Sequence, residues 1–207
     1  LLSRNGYRTV IIHDHWWFLP RTDFIGWFDE SYHIRGPQPT DEDIIETALK
    51  WVARNKDDPF FLYLHIMSPH QPYPVKEADR IFIGEDKRDL ATSVRAKFKN
   101  KPNESCIGWS EREIQMLRDL YDSNLRHSDY WIGVLYSKLE EWSLAGNTLF
   151  ILTSDHGEHL GEHNHLNHGG PGFDSGVHVP LIMVWPGQIP GDVKIKGLCE
   201  LIDIVPT

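Results

Sequence analysis

The sequence predicts an α/β protein on two observations: strand-like apolar runs alternate with segments of helical periodicity, and three of those runs break directly into His or Asp. Residues 9–12 (TVII) run into His13, Asp14 and His15. Residues 60–66 (FFLYLHI) run into Ser68, Pro69 and His70. Residues 149–152 (LFIL) lead to Asp155, His156 and a glycine turn at Gly157. A continuous apolar run predicts a strand covered on both faces, as in a parallel sheet, and the stretch at 149–152 is expected to be one. Ligands of open α/β sheets bind outside the carboxyl ends of the strands. The three polar termini are therefore expected to form one site.

After the first strand, Thr40 and the acidic Asp41, Glu42 and Asp43 give a capped helix start. Ile44, Ile45, Ala48, Leu49 and Val52 supply its apolar stripe and predict a helix to about Asn55. Asp57, Asp58 and Pro59 end that helix and launch the second strand. Residues 72–109 are polar and aperiodic, with basic residues scattered through KEADR, EDKRD and RAKFKNK, and predict a long surface excursion of a kind that is often functional. Ser110 and Glu113 repeat the capping pattern. Ile114, Leu117, Tyr121, Leu125, Ile132, Leu135 and Leu139 then recur near helical spacing and predict one helix to about Trp142, with Gly133 as a candidate kink. Ala145, Gly146 and Asn147 turn into the third apolar run as a helix-to-strand crossover. Residues 179–185 predict a further strand, with Pro180 near its start where a missing donor is tolerated.

A chain of 207 residues with 40% hydrophobic content is long enough to bury a core, as one domain or as part of a larger one. Its net charge of −9 argues against nucleic acid or an anionic membrane as a general partner, because both recruit clustered Lys and Arg. An anionic substrate would need a local positive centre, which a divalent cation beside histidines supplies. No apolar run approaches the length of a membrane span and no signal peptide is visible, so periplasmic, secreted and cytoplasmic locations all stay open. Cys106 and Cys199 make no disulfide framework. Asn103-Glu104-Ser105 is a glycosylation sequon, a triplet common by chance.

The segment TSDHGE at 153–158, followed by LGEH, by His168-Gly169 and by VPLIMVWPG, resembles the signature of the sulfatases of the alkaline-phosphatase superfamily. Further matches are GYRT at 6–9, GWFD at 26–29, SPHQPY at 68–73 and LIDIVPT at 201–207. The resemblance implies a mixed, largely parallel central sheet flanked by helices in a three-layer sandwich, incomplete here, with residues 1–207 a single catalytic-domain fragment. It implies hydrolysis of sulfate esters, small-molecule or glycan, with a divalent cation: calcium first, with manganese or zinc admitted by a histidine ligand. The family nucleophile is a formylglycine made from a C/S-x-P-x-R motif. Neither cysteine stands in one, so the nucleophile is expected upstream of Leu1 and the fragment alone is expected to be inactive. A homo-oligomer stays open.

By the same resemblance Asp155 and His156 are metal ligands, and His70 hydrogen-bonds the sulfate group. His168 contacts the sulfate and the leaving-group oxygen, which a general acid would protonate. His13, Asp14 and His15 stand where many sulfatases have G-K-W-H, with an anion in place of a cation. Either His13 or His15 faces the sulfate, His15 being the substrate-binding candidate, or the fragment belongs to a divergent branch; the other reading is a solvated loop with incidental histidines. Trp16 and Trp17 wall the pocket or pack into the core. Asp174 and His178 are expected to support the fold. The bland alternatives are a helix-capping Asp155 and a core His156 satisfied by a backbone carbonyl. Rival functions are a phosphodiesterase, phosphonate monoester hydrolase or phosphoryl transferase of the same superfamily, an inactive metal-binding fragment, and a zinc peptidase read from H-x-x-E-H at 159–163.

Overall fold

The computed structural model describes residues 1–18, 23–36, 40–74, 82–100 and 105–205, without the side chains of Trp17 and Asn100. Asn103 and Glu104 of the sequon, and Pro206 and Thr207 of the closing motif, lie outside the described residues. The chain divides into two compact units, Leu1–Pro102 with Ser110–Leu139, and Asn103–Trp109 with Glu140–Thr207.

In the first unit β1 (Arg8–His13) is the middle strand of a sheet in which β2 (Glu30–His33) and β3 (Phe60–His65) both run parallel to it. Val10, Ile11 and Ile12 have no exposed surface, as the apolar run predicts. His13 is in register with His33 on one side and His65 on the other, so three histidines share one row at the sheet's carboxyl end. Residues ESYH of β2 carry no apolar run, and the strand was not foreseen. Asp29 anchors its start: Oδ2 accepts from the Thr9 backbone N–H and hydroxyl, each at 2.9 Å.

The helix α1 (Asp41–Asn55) keeps the predicted bounds. Thr40 and Asp43 close a reciprocal capping box, and Ile44, Ile45, Ala48, Trp51 and Val52 are fully buried. Within the stretch expected to be aperiodic lies α2 (Arg88–Asn100), which corrects that reading. Its buried residues Ala91, Val94 and Phe98 carry a helical spacing that the surrounding charges obscured. The long α3 (Glu111–Glu141), whose residues through Leu139 belong to this unit, is capped by Ser110 and Glu113 as expected and continues through Gly133.

In the second unit β4 (Phe150–Thr153) pairs with β7 (Leu181–Val184), and the pairing is antiparallel. The expectation of a buried parallel strand is therefore corrected: β4 alternates half-buried and exposed residues. Strand direction is set by the partner, which an apolar run does not specify. A hairpin of β5 (His159–Leu160) and β6 (Leu166–Asn167) follows, and a short α4 (Asp174–Val177) precedes β7. Gly161 and His163 both have left-handed backbone, φ 107° and 52°, so H-x-x-E-H is a strand and turn and not the helix a zinc peptidase needs.

Candidate active site

The end of β4 carries the residues singled out from sequence. Asp155 follows the strand with its side chain 77% exposed, and its Oδ1 accepts the His156 backbone N–H at 3.0 Å. The His156 Nδ1 lies 2.9 Å from the Gly157 carbonyl. A carbonyl only accepts, so Nδ1 carries the proton and Nε2 carries the lone pair. That is the arrangement of a metal-ligating imidazole, whose far nitrogen is oriented by a backbone carbonyl. The Nε2 lies 3.8 Å from Asp155 Oδ1. Two donors each about 2 Å from one ion stand up to about 4 Å apart, so the pair fits two positions of a cation's shell. Among the described residues no group of three or more His, Cys, Asp or Glu completes such a shell.

Gly157 holds this turn against α4. Its N–H donates to the Gly176 carbonyl at 2.8 Å, and a Cβ at Gly157 would meet the Ser175 carbonyl oxygen at 2.2 Å. Only glycine fits so close an approach of two backbones.

His168 stacks on His156 with ring centroids 4.4 Å apart. Its Nδ1 lies 3.2 Å from Oε1 of Glu158, whose side chain is only 5% exposed while that of His168 is 31% exposed. Sequence reasoning did not assign Glu158 a role. Its position inside TSDHGE was the available signal, and its burial is what distinguishes it from a surface acid.

The first unit holds the other candidates. His70 follows β3 in a tight loop, its N–H donating to Met67 O at 2.6 Å and its Nδ1 to Gln71 O at 2.8 Å. His13 has no exposed surface, stacks on His33 at 4.9 Å and meets the edge of Phe18 at 5.0 Å. Its Nδ1 donates to the His15 carbonyl at 3.0 Å, and its buried Nε2 has no hydrogen-bond partner. Burial lowers its pKa to about 4, with the neighbouring His33, His65 and His15 adding in the same direction. His13 is thus a neutral core residue, which corrects both the sulfate-facing and the solvated-loop readings for that position. His15 is half-buried, with its ring 5.7 Å from Trp16 and 6.0 Å from His65. Asp14 is partly buried, and its Oδ1 is without a partner. Burial pushes its carboxyl up to about 6, and the charge of Asp41 adds to this. Trp16 is 66% exposed and so does not pack into the core. Asp174 and His178 are exposed and joined by one backbone bond, His178 N–H to Asp174 O at 2.8 Å.

A family model described as Sulfatase matches residues 1–207. An arylsulfatase K of Xenopus laevis is 30% identical over 190 residues, which cover 79% of this chain and 34% of that protein. An arylsulfatase of Clostridium perfringens (strain 13 / Type A) is 28% identical over 193 residues, covering 87% of this chain and 38% of that protein. The chain thus spans about a third of the length of the curated relatives it matches. Among solved structures, a phosphonate monoester hydrolase of Agrobacterium radiobacter superposes with a TM-score of 0.64 at 17% identity, over 90% of this chain and 52% of that one. At that identity the likeness shows the fold alone: an alkaline-phosphatase-like α/β architecture of which this chain covers about half.

Proposed function

This chain belongs to the sulfatase family, and from that premise we propose that the protein containing it hydrolyses sulfate esters of small molecules or glycans. The observation that carries the reading is the turn after β4, where Asp155, His156 and a His168 seated on the buried Glu158 stand together. Asp155 and His156 would hold a divalent cation, calcium first, with manganese or zinc admitted by the imidazole. Such a cation supplies polarisation of the sulfate and of the attacking oxygen. The attacking group is expected to be a formylglycine, for which residues 1–207 contain no C/S-x-P-x-R motif.

His168 is proposed to give a proton to the departing alcohol, with Glu158 offsetting the charge of the doubly protonated ring that a general acid carries. His70, whose Nδ1–H is already given to Gln71 O, donates from Nε2 to a sulfate oxygen as the doubly protonated ring while charge develops there, and His15 contacts the bound substrate. A second reading, phosphonate monoester hydrolysis, is favoured by the likeness to the Agrobacterium radiobacter enzyme. The experiment is peptide mass mapping of the full-length protein. A C/S-x-P-x-R peptide bearing formylglycine supports a formylglycine-dependent hydrolase. A Thr or an unmodified Ser as the nucleophile would overturn it in favour of phosphoryl transfer.

A further inference from the structure

Asp41 is a carboxylate with 3% exposure and no task in the site described so far. It is the first residue of α1, yet the capping of that helix is already complete: Thr40 Oγ1 accepts from Asp43 N, and Asp43 Oδ2 accepts from Thr40 N at 2.9 Å. The two oxygens of Asp41 are instead bonded by hydroxyls from two other elements. Oδ1 accepts from Ser68 Oγ at 2.8 Å, and Oδ2 from Ser128 Oγ of α3 at 2.6 Å. These partners are 27 and 87 positions away in sequence. Two neutral hydroxyls and the positive end of the α1 dipole make a buried carboxylate tolerable. They do not make it advantageous over a well-packed apolar residue, because the desolvation of a buried charge is seldom recovered in stability. A positioning duty accounts for its presence where stability does not.

What Asp41 fixes is the loop that presents His70. Ser68 lies two residues before His70, at the carboxyl end of the parallel strand β3. The ring of His70 is oriented by Gln71 O and its backbone N–H by Met67 O, both within the loop, while the far end of the loop is held by the fully buried Tyr73. The Ser68–Asp41 bond attaches the near end to α1, and Ser128 attaches the same carboxylate to α3. We propose that Asp41, acting through Ser68, is a positioning residue for His70. The inference rests on the proposed role of His70 in sulfate-ester hydrolysis.

The test compares Ser68→Ala, Ser128→Ala, Asp41→Asn and His70→Ala in the full-length protein, with steady-state turnover of 4-nitrophenyl sulfate and the thermal midpoint as readouts. Displacement of a reacting group by about 1 Å costs up to about a hundredfold in rate. Ser68→Ala is expected to lower kcat by about tenfold, with KM within about twofold of wild type, and Ser68→Thr to restore most of it. Ser128→Ala removes an equivalent hydroxyl bond and should shift the midpoint about as much while leaving kcat unchanged. Asp41→Asn keeps the shape and should lower kcat less than Ser68→Ala. If His70→Ala is inactive and Ser68→Ala keeps wild-type kcat, the positioning role is refuted and the role of His70 stands. Equal losses of kcat and midpoint in both serine variants refute it as well, in favour of a structural bond. If His70→Ala itself keeps wild-type kcat, the functional reading fails first.

Discussion

Replacing Gly157 by alanine perturbs the candidate metal turn at one atom, and the structure gives the scale. The added Cβ would stand 2.2 Å from the Ser175 carbonyl oxygen, 3.0 Å from its carbon and 3.3 Å from the Gly176 carbon. All three are backbone atoms, so no rotamer change relieves the clash. Ordinary contact begins near 3.4 Å, and 3.4 less 2.2 requires the two segments to part by about 1.2 Å. That separation breaks the 2.8 Å bond from Gly157 N–H to Gly176 O, worth about 1 kcal/mol, and adds an overpacking cost of about 1–3 kcal/mol. The expected loss is about 2–4 kcal/mol by urea unfolding, the sum of those two terms. Because Gly157 O also holds the His156 ring, cation affinity by calorimetric titration should fall with it. Gly146→Ala, where an added Cβ meets nothing within 4 Å, is the control. A Gly157→Ala protein within about 0.5 kcal/mol of wild type, the scatter of ordinary surface changes, would refute the close-approach reasoning.

Three further outcomes follow from the same structure. Gly133→Ala, inside α3 with open space around its Cβ position, should stabilise by about 0.5–1 kcal/mol in the same unfolding assay, and a loss would contradict an unbroken helix there. Asp14 has its carboxyl raised to about 6 from the ordinary 3.8 of a free carboxylate, so the folded state holds that proton more tightly than the unfolded chain. Its contribution to stability is therefore full below about 3.8 and is lost as pH rises through about 6. Asp14→Asn should then be more stable than wild type above about pH 7, by on the order of 1 kcal/mol once partial exposure is discounted, and should show no such advantage near pH 4; an equal offset at both would refute it. Asp155→Ala should weaken manganese or calcium binding by at least about tenfold, about 1.4 kcal/mol, in a titration, and equal affinity would remove Asp155 from the ligand set.

Much of the helical structure was legible because its determinants are local. The caps at Thr40 and Ser110 and the stripes behind them delivered α1 and α3 nearly to the residue. The apolar runs of β1 and β3 were equally visible, as was the polar break at each end. β2 was not, since a strand of Glu, Ser, Tyr and His owes its conformation to pairing with β1 and to Asp29, both tertiary effects. The direction of β4 against β7 was hidden for the same reason. α2 was missed because its three buried apolar residues, set in a basic stretch, make a weak periodic signal.

The site was legible by residue type and not by environment. TSDHGE pointed to Asp155 and His156, while the stacking of His156 on His168 and the burial of Glu158 exist only in the fold. For His13 the environment reversed the reading. A histidine at a strand end looks available to an anion, and full burial beside three other histidines makes it neutral. The Asp41 node, joining α1, α3 and the His70 loop, leaves no local trace in the sequence at all.

The most direct test of the sulfate-ester account is the ratio of kcat/KM for 4-nitrophenyl sulfate to that for a 4-nitrophenyl phosphonate monoester, measured on the full-length protein and on Asp155→Ala and His168→Ala. The account predicts a preference for the sulfate, with both variants slowed by about a hundredfold or more, the range of general acid catalysis for His168 and of metal polarisation for Asp155. A preference for the phosphonate, or full sulfate turnover in the Asp155→Ala and His168→Ala proteins, would contradict it.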